Sequence, residues 1–374
     1  MAGIEAVLRI DLGAIVANFR QLAAAAPGRV AGVVKADGYG LGVAPVARAL
    51  LAAGCRDFFV AHLAEGMAVR AALGPGPMVA VLNGFPPGAD DEAGLVDRAG
   101  LVPVLNGLGD VAVWVAAARV AGRALPAILH VDTGMARLGL DAAELDRLAA
   151  APGLLAGLDL RYAMTHLACA DEPAHPLNAV QAARFATARA RLPAMPCSFA
   201  NSSGLFLGPE FGSDLGRPGC ALYGINPTPG RPNPMRQTVT LDAPILQVRE
   251  IAAGETVGYG AGWTASRPSR IATVAAGYAD GYLRSLSGRA VGIIAGRPVP
   301  LVGRVSMDLI TFDVTDVPEI VPGDAIRLIG PDQTGLGQTG LGQTPDDVAA
   351  RAGTIGYEIL TALGRRYRRE YHGA

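Results

Sequence analysis

The sequence predicts an α/β protein with an N-terminal (β/α)8 barrel of the TIM type followed by a smaller, mainly β domain. Between residues 30 and 223, short apolar runs alternate with helical segments about eight times, a pattern typical of such a barrel. A Pro/Gly-rich stretch follows Asn226, and the runs beyond it are β-like and separated by glycines. A doubly wound sheet is the alternative, but no G-x-G-x-x-G follows the first strand.

The first predicted strand is the apolar, β-branched run Val30–Val34. The other barrel strands share its form, an apolar run that ends in polar or glycine-rich residues; they are 57–61, 78–82, 101–105, 127–131, 161–165, 197–200 and 220–223. Segments rich in Ala, Leu and Arg predict the helices between them, at 43–53, 63–72, 110–121, 141–150 and 177–191.

We place the domain boundary in the proline-rich linker, so that residues 11–228 form the barrel and 229–374 the C-terminal domain. Residues 1–10 are expected to form a strand that packs with the C-terminal domain. The β-like runs of that domain are 244–248, 271–275, 290–294, 309–314 and 325–329, and the run 365–369 is expected to be the exposed face of a last strand. A duplicated Gln-Thr-Gly-Leu-Gly at 333–342 is expected to be a flexible loop.

Composition excludes several functional classes. The chain is 51% hydrophobic and 17% charged, with a net charge of −1, which offers no electrostatic basis for nucleic-acid or anionic-membrane binding. Glu5, Arg9 and Asp11 interrupt any signal-peptide core, and no apolar run is long enough to span a bilayer. The four cysteines are scattered without a C-x-x-C pair, so we expect a cytoplasmic protein with no metal site.

Lys35 is the only lysine among 32 basic residues. Arginine cannot lose its proton in a protein, so it cannot serve as an amine nucleophile or a proton-abstracting base. Lys35 ends a predicted buried strand, and a segment with three glycines follows it. A lysine that serves only as a surface charge is not expected at the end of a buried strand. The sequence therefore predicts amine chemistry at this residue.

Catalytic groups of such barrels lie at the C-terminal ends of the strands. Arginines and backbone N–H groups near the last strands suit a phosphate. An amine beside a phosphate site indicates an aldehyde cofactor such as pyridoxal 5′-phosphate (PLP). A Schiff-base aldolase acting on sugar phosphates would present similar groups, so both remain open at this point. The polar groups concerned are Lys35, the segment 132–137, Thr165, His166, the segment 201–203 and the segment 217–220.

The motif Val33-Val34-Lys35-Ala36-Asp37-Gly38-Tyr39-Gly40 resembles the PLP-lysine motif of the alanine racemases, which are fold-type III enzymes. Further segments match that family in order along nearly the whole chain: 131–139, 165–168 with 171–172, 217–219 with 222–224, 257–260, 277–282, 303–308 and 357–358. The resemblance implies a homodimer with shared active sites that interconverts L- and D-alanine, supplying D-alanine for peptidoglycan.

Racemisation is achieved economically by two bases on opposite faces of Cα. The resemblance assigns these to Lys35 and to Tyr259 of the partner subunit, and it assigns Arg217 to the pyridine nitrogen. Arg137 and the Met307 backbone N–H would hold the substrate carboxylate, and His166 would orient Arg217 or the tyrosine. The remaining assignments are Tyr39, Ser202, Gly219, Cys220 and Tyr357 around the phosphate, and Asp171, Tyr278, Arg284, Arg304 and Asp308 in an access corridor.

One position departs from the family. Where many alanine racemases have a carbamylated lysine that steers the arginine matching Arg137, this chain has His130, which cannot form a stable carbamate.

Two alternatives in function are a PLP decarboxylase or broad-specificity racemase, and a PLP-binding protein without enzymatic activity. Arg217 argues against a decarboxylase, which places an acid at the ring nitrogen. The domain beyond Asn226 argues against the non-enzymatic class, which resembles the barrel alone.

Overall fold

The structure is a computed structural model, and it describes residues 5–85, 90–331 and 342–373. The chain divides into two compact units. One comprises 15–38 and 42–235, and the other comprises the residues up to 14, the segment Tyr39–Leu41 and the chain from Arg236 onward. The prolines of the predicted linker therefore fall within the first unit.

The chain begins with strand β1 (Val7–Asp11) and helix α1 (Leu12–Ala25). The strands of the first unit are β2 (Arg29–Val30), β3 (Gly32–Val33), β4 (Asp57–Val60), β5 (Met78–Val81), β6 (Val102–Leu105), β7 (Leu125–His130), β8 (Leu158–Met164), β9 (Cys197–Ser198) and β10 (Leu215–Gly216). Between them lie α2 (Lys35–Tyr39), α3 (Val43–Ala52), α4 (Leu63–Leu73), α5 (Asp90–Arg98), α6 (Leu108–Ala121), α7 (Ala142–Ala150) and α8 (Pro176–Arg191).

These strands form the predicted barrel. Strands β3 to β9 pair in parallel in chain order, and β10 pairs in parallel with β2, which precedes β3 directly. The Arg217 N–H donates to the Ala200 carbonyl (2.8 Å) and links the last strand to its predecessor, so the ring closes. Strands β4 and β6 are buried along their whole length, as expected of parallel strands covered by helices.

Two predictions about this unit were wrong or incomplete. Residues Cys220–Tyr223 form a 3₁₀ turn, and the eighth strand is Leu215–Gly216. The apolar run 220–223 is fully buried, and burial gave it the composition of a strand. Helices α1 and α5 were not predicted.

The second unit is mainly β. Its elements are β1, β11 (Val239–Ile251), β12 (Thr256–Val257), β13 (Trp263–Thr264), β14 (Ser269–Val274), β15 (Val291–Ile294), β16 (Arg297–Val302), β17 (Ile310–Asp313), β18 (Ala325–Ile329), α9 (Pro345–Ala352), α10 (Gly356–Ala362) and β19 (Arg368–His372). Eight strands form one sheet in the order β14-β17-β16-β15-β18-β11-β1-β19, and β14 also pairs with β11. Strand β1 thus lies between β11, to which it is antiparallel, and β19, to which it is parallel.

Strand β19 overlaps the predicted last strand only at residues 368 and 369, because residues 365–367 form a turn before it. Helices α9 and α10 were not predicted. The duplicated segment 333–342 lies, apart from Gly342, outside the described residues. Across the described residues, no helix is long and apolar enough to cross a membrane.

Candidate active site

Lys35 lies at the C-terminal end of the first barrel strand, at the start of a left-handed turn. The next three residues, Ala36, Asp37 and Gly38, have φ angles of 53–65° and ψ angles of 45–49°. Such angles cost roughly 1–2 kcal/mol for each residue that carries a Cβ. Local hydrogen bonds support the turn: the Gly38 N–H donates to the Val34 carbonyl (2.9 Å), and the Asp37 carboxylate accepts from the Val43 N–H (2.8 Å).

The Lys35 side chain is half-buried, and burial is the main cause that lowers the pKa of its ammonium group. The positive charge of Arg137 lowers this pKa further, while the carboxylate of Glu65 opposes both effects. The net effect is a lowered pKa, so the neutral amine, which acts as a nucleophile or accepts a proton, is more accessible than in a solvent-exposed lysine.

Arg217 is buried beneath the same end of the barrel. Its guanidinium donates to Ser198 Oγ (2.5 Å) and to the Thr165 carbonyl (2.6 Å), and it lies 5.9 Å from the centre of the Phe59 ring. Among the residues that the structure describes, no carboxylate forms an ion pair with it. Burial lowers its pKa to about 9, which leaves it protonated at neutral pH.

His166 contacts this arginine through Nδ1, which lies 3.4 Å from Arg217 Nη2. A guanidinium only donates, so Nδ1 is the acceptor and the proton of the neutral ring is on Nε2. Burial, followed by the charges of Arg217 and Arg137, lowers the pKa of His166 well below its ordinary value. The predicted proximity of His166 and Arg217 is therefore observed.

His130 is a second neutral histidine, and its tautomer follows from Asn106. The Asn106 amide nitrogen donates to the carbonyls of Leu82 (2.9 Å) and Val104 (3.2 Å), so Oδ1 is the atom that lies 2.7 Å from His130 Nδ1. Nδ1 must therefore carry the proton, and Nε2 keeps its lone pair. Burial, then the charge of Arg217, lowers the pKa of His130 to about 4.

This shift predicts acid sensitivity. The unfolded chain binds a proton at His130 near pH 6.5, whereas the folded chain does so only near pH 4. The neutral His130 therefore imposes no penalty on the free energy of unfolding above pH 6.5, and this free energy decreases as the pH falls below that value. The loss from this residue should be about 2 kcal/mol between pH 7 and pH 5. Chemical unfolding across this range should give a shallower pH dependence for His130→Gln than for the wild type. The control is His62→Gln, which removes an exposed histidine instead. If the free energy of unfolding changes with pH equally in His130→Gln and in His62→Gln, the prediction is contradicted.

Arg137 lies in an exposed loop after β7 that is organised by one carboxylate. Asp132 accepts the backbone N–H groups of Gly134 (2.8 Å), Met135 (2.9 Å) and Ala136 (3.2 Å). The Arg137 side chain forms no hydrogen bond or ion pair with any of the described residues, so its donors can reach a ligand. Its positive charge acts on the Lys35 ammonium and lowers the pKa of that group, so this cation lies near the amine.

Ser202, Gly219 and Cys220 are buried together at the end of the last strand. Ser202 Oγ accepts from the Gly219 N–H (2.9 Å) and from the Ala221 N–H (3.3 Å), so its hydroxyl hydrogen can be donated elsewhere. The Gly219 N–H, which we expected to bind phosphate directly, instead donates to Ser202 in this structure.

The second unit brings together the two tyrosines predicted for the phosphate. The rings of Tyr39 and Tyr357 lie 6.4 Å apart, tilted by 44°. The segment that carries Tyr39 is held by strand β19, because Arg369 donates to the Gly40 carbonyl (3.0 Å) and Tyr371 donates to the Leu41 carbonyl (2.9 Å). A Cβ on Gly40 would lie 2.3 Å from the Leu360 carbonyl oxygen, so glycine is required there.

Tyr259 lies on an exposed turn, with 74% of its surface accessible in the single chain. Gly258, Gly260 and Ala261 all have positive φ angles, and a Cβ on Gly260 would lie 3.3 Å from the Arg304 guanidinium carbon. Arg304, predicted for the access corridor, thus packs against the turn that presents Tyr259.

The other residues predicted for the access corridor differ in whether they form contacts within the described part of the chain. The Tyr278 N–H donates to the Ser306 carbonyl (3.0 Å), next to Met307, whose own N–H donates to none of the described residues. Asp308 forms an ion pair with Arg366 (2.8 Å). The exposed side chains of Asp171 and Arg284 form no hydrogen bond or ion pair within the described part of the chain.

Three side chains of the site were missed by the sequence reasoning. They are Glu65, whose carboxylate accepts the Ala36 N–H, together with Ser198 and Asn106. Glu65 stands at the third position of helix α4, where a carboxylate is typical of a helix cap, and this spacing was the available signal. No cluster of three or more potential metal ligands occurs within residues 5–85, 90–331 and 342–373.

Comparisons with known proteins identify the family of this chain. The family models described as "Alanine racemase, N-terminal domain" and "Alanine racemase, C-terminal domain" match residues 10–227 and 238–371. The alanine racemase of Acidiphilium cryptum is 57% identical over 362 residues, which cover 97% of each chain. A protein of Mesorhizobium japonicum named "Alanine racemase, catabolic" is 50% identical and covers 100% of this chain and 94% of its own.

A crystal structure of alanine racemase from Bartonella henselae with covalently bound pyridoxal phosphate superposes with a TM-score of 0.92 at 41% identity, covering 99% of this chain and 100% of that chain. The resemblance drawn from the motifs is therefore confirmed, as is the fold class. The chain belongs to the alanine racemase family and is an amino-acid racemase.

Proposed function

We propose that this chain interconverts L- and D-alanine by moving the Cα proton between two bases, with pyridoxal phosphate bound covalently at Lys35. The observation that carries the proposal is the environment of the only lysine. Lys35 is half-buried at the C-terminal end of a barrel strand. Burial and the positive charge of Arg137 lower the pKa of its ammonium group. The neighbouring structure from Bartonella henselae, with covalently bound pyridoxal phosphate, supports the choice of cofactor.

The residues present fit this cofactor. Arg217 is a buried cation with neutral partners, suited to a ring nitrogen that accepts a hydrogen bond. In the first unit the Ser202 hydroxyl, with Gly219 and Cys220 beside it, would supply a donor for a phosphate. In the second unit the paired tyrosines Tyr39 and Tyr357 would supply two more. When bound, the cofactor withdraws electrons from the substrate and so acidifies its Cα proton.

The chain's own residues then move and direct that proton. Lys35 serves one face of Cα as a base, and Tyr259 of the partner subunit serves the other face in the proposed homodimer. Arg137 and the Met307 N–H hold the substrate carboxylate. Because Arg217 stays protonated, it would donate a hydrogen bond to a cofactor ring nitrogen without giving up its proton, which would weaken electron withdrawal and limit side reactions such as transamination.

For the cellular role we propose cytoplasmic synthesis of D-alanine for peptidoglycan. Two relatives, including the one from Mesorhizobium japonicum, are named catabolic, which favours alanine breakdown as the second candidate. A deletion strain separates the two roles. Dependence on added D-alanine supports the synthetic role, whereas loss of growth on alanine as the sole carbon source supports the catabolic one.

The molecular proposal is tested with a panel of D- and L-amino acids and added pyridoxal phosphate, followed by borohydride reduction and peptide mapping. We expect racemisation of alanine and a single labelled peptide that contains Lys35. Activity without pyridoxal phosphate on Lys35, or an unlabelled chain after reduction, would overturn the proposal.

A further inference from the structure

We propose that Glu65 is a positioning residue for Lys35: its carboxylate fixes the backbone of the left-handed turn that begins at the lysine. The inference rests on the proposed function, because it concerns the amine that would carry the cofactor.

The contacts of the Glu65 carboxylate join two neighbouring barrel strands. Oε1 accepts the Ala36 N–H (2.7 Å), directly after Lys35 and the strand β3. Oε2 accepts the N–H groups of Ala61 (2.7 Å) and His62 (3.1 Å), directly after β4. One side chain therefore holds the C-terminal ends of both strands at a fixed spacing.

The turn needs such a support. An N–H group held in left-handed geometry cannot join the ladder of a strand or the normal hydrogen bonds of a right-handed helix. A charged acceptor forms the stronger class of hydrogen bond, and removing it leaves the Ala36 N–H without this partner.

Within the described part of the chain, Glu65 also brings the one negative charge that raises the pKa of the Lys35 ammonium. The charged and titratable groups that act on the amine are Arg137 from the loop after β7, His166 from the end of β8, and Glu65 from α4. The first two bring a cation and a neutral ring, so of these three groups Glu65 is the one that favours a protonated nitrogen at Lys35.

The chain contains a matched control. Glu144 occupies the same third position of helix α7 and likewise reaches a neighbouring element, because it accepts the Leu108 N–H (2.9 Å) in addition to the Asp141 N–H (3.4 Å). Its surroundings contain no lysine. Glu65→Gln and Glu144→Gln thus each remove one negative charge from a carboxylate that caps a helix and accepts an N–H of a neighbouring element. They differ because only Glu65 acts on Lys35.

The test uses the full chain with pyridoxal phosphate as the probe. Two quantities are measured: the dissociation constant of the cofactor, and the pH midpoint of the absorbance change of the bound cofactor. We expect the midpoint of Glu65→Gln to move to lower pH by about half a unit, because a charge that stabilises the protonated nitrogen is lost. Glu144→Gln should match the wild type. Glu65→Ala should weaken cofactor binding about tenfold, the size expected for one charge-assisted hydrogen bond.

A midpoint in Glu65→Gln that matches Glu144→Gln overturns the proposal, as does undiminished cofactor affinity in Glu65→Ala. Should Glu65→Ala fail to fold, the nearly isosteric Glu65→Gln decides alone. Wild-type chain that is not labelled at Lys35 by borohydride would instead refute the proposed function, so the two failures are distinguishable.

Discussion

Replacing Lys35 with arginine is expected to reduce racemisation by at least about a thousandfold, because a guanidinium keeps the charge but supplies neither a nucleophilic amine nor a base. The structure strengthens the expectation, since the chain has no second lysine to substitute for it, and burial together with Arg137 lowers the pKa of its ammonium group. The measurement is the rate of alanine racemisation with saturating pyridoxal phosphate.

Two controls accompany this variant. Thermal unfolding should show that Lys35→Arg is folded, and borohydride should no longer attach the cofactor to the chain. In Lys35→Ala, a small external amine should restore part of the activity, because it supplies the missing group. Substantial turnover by Lys35→Arg would refute the role of this amine.

Replacing Tyr259 with phenylalanine is expected to slow exchange of the Cα proton strongly, and far more for one alanine enantiomer than for the other. The phenylalanine ring fills the same space on the glycine-flanked turn but has no hydroxyl, so proton transfer on one face alone is lost. Exchange into deuterated water, followed separately from L- and D-alanine, measures the asymmetry. Equal losses for the two enantiomers would argue against two facing bases.

The same variant tests the shared site. Mixed dimers of Lys35→Ala and Tyr259→Phe chains contain one site with both residues intact, if each site takes its tyrosine from the partner. We expect partial recovery of activity after confirmed subunit exchange. No recovery would indicate that each chain uses its own two bases.

The fold was largely predictable because strand burial and helix composition are local properties of the sequence. The run Val30–Val34 and the strand β6 are apolar throughout, the buried strand β4 is apolar after Asp57, and the structure places strands at all three. The run 220–223 failed because complete burial, rather than strand geometry, explains its composition.

The chemistry of the site was predictable only in part. Lys35, Arg217 and His166 are marked by residue type and motif, and the structure brings the last two into contact. The partners that fix them are not marked in this way. Glu65 lies 29 residues from Ala36, and Asn106 lies 24 residues from His130, so their roles appear only when the barrel brings neighbouring strands together.

The pairing of β1 with β19 has a consequence for how the protein is made. Arg9 and Glu370, which form an ion pair across these strands, are 361 positions apart, and Arg369 reaches back 329 positions to the Gly40 carbonyl. On the ribosome, one edge of the first strand can pair with β11, but the other must wait for β19, which is translated more than three hundred codons later, while the barrel segments are already available to collapse. Until Arg369 and Tyr371 emerge, the Tyr39 segment lacks its anchors, so cofactor loading should follow translation of this strand rather than accompany synthesis of the barrel.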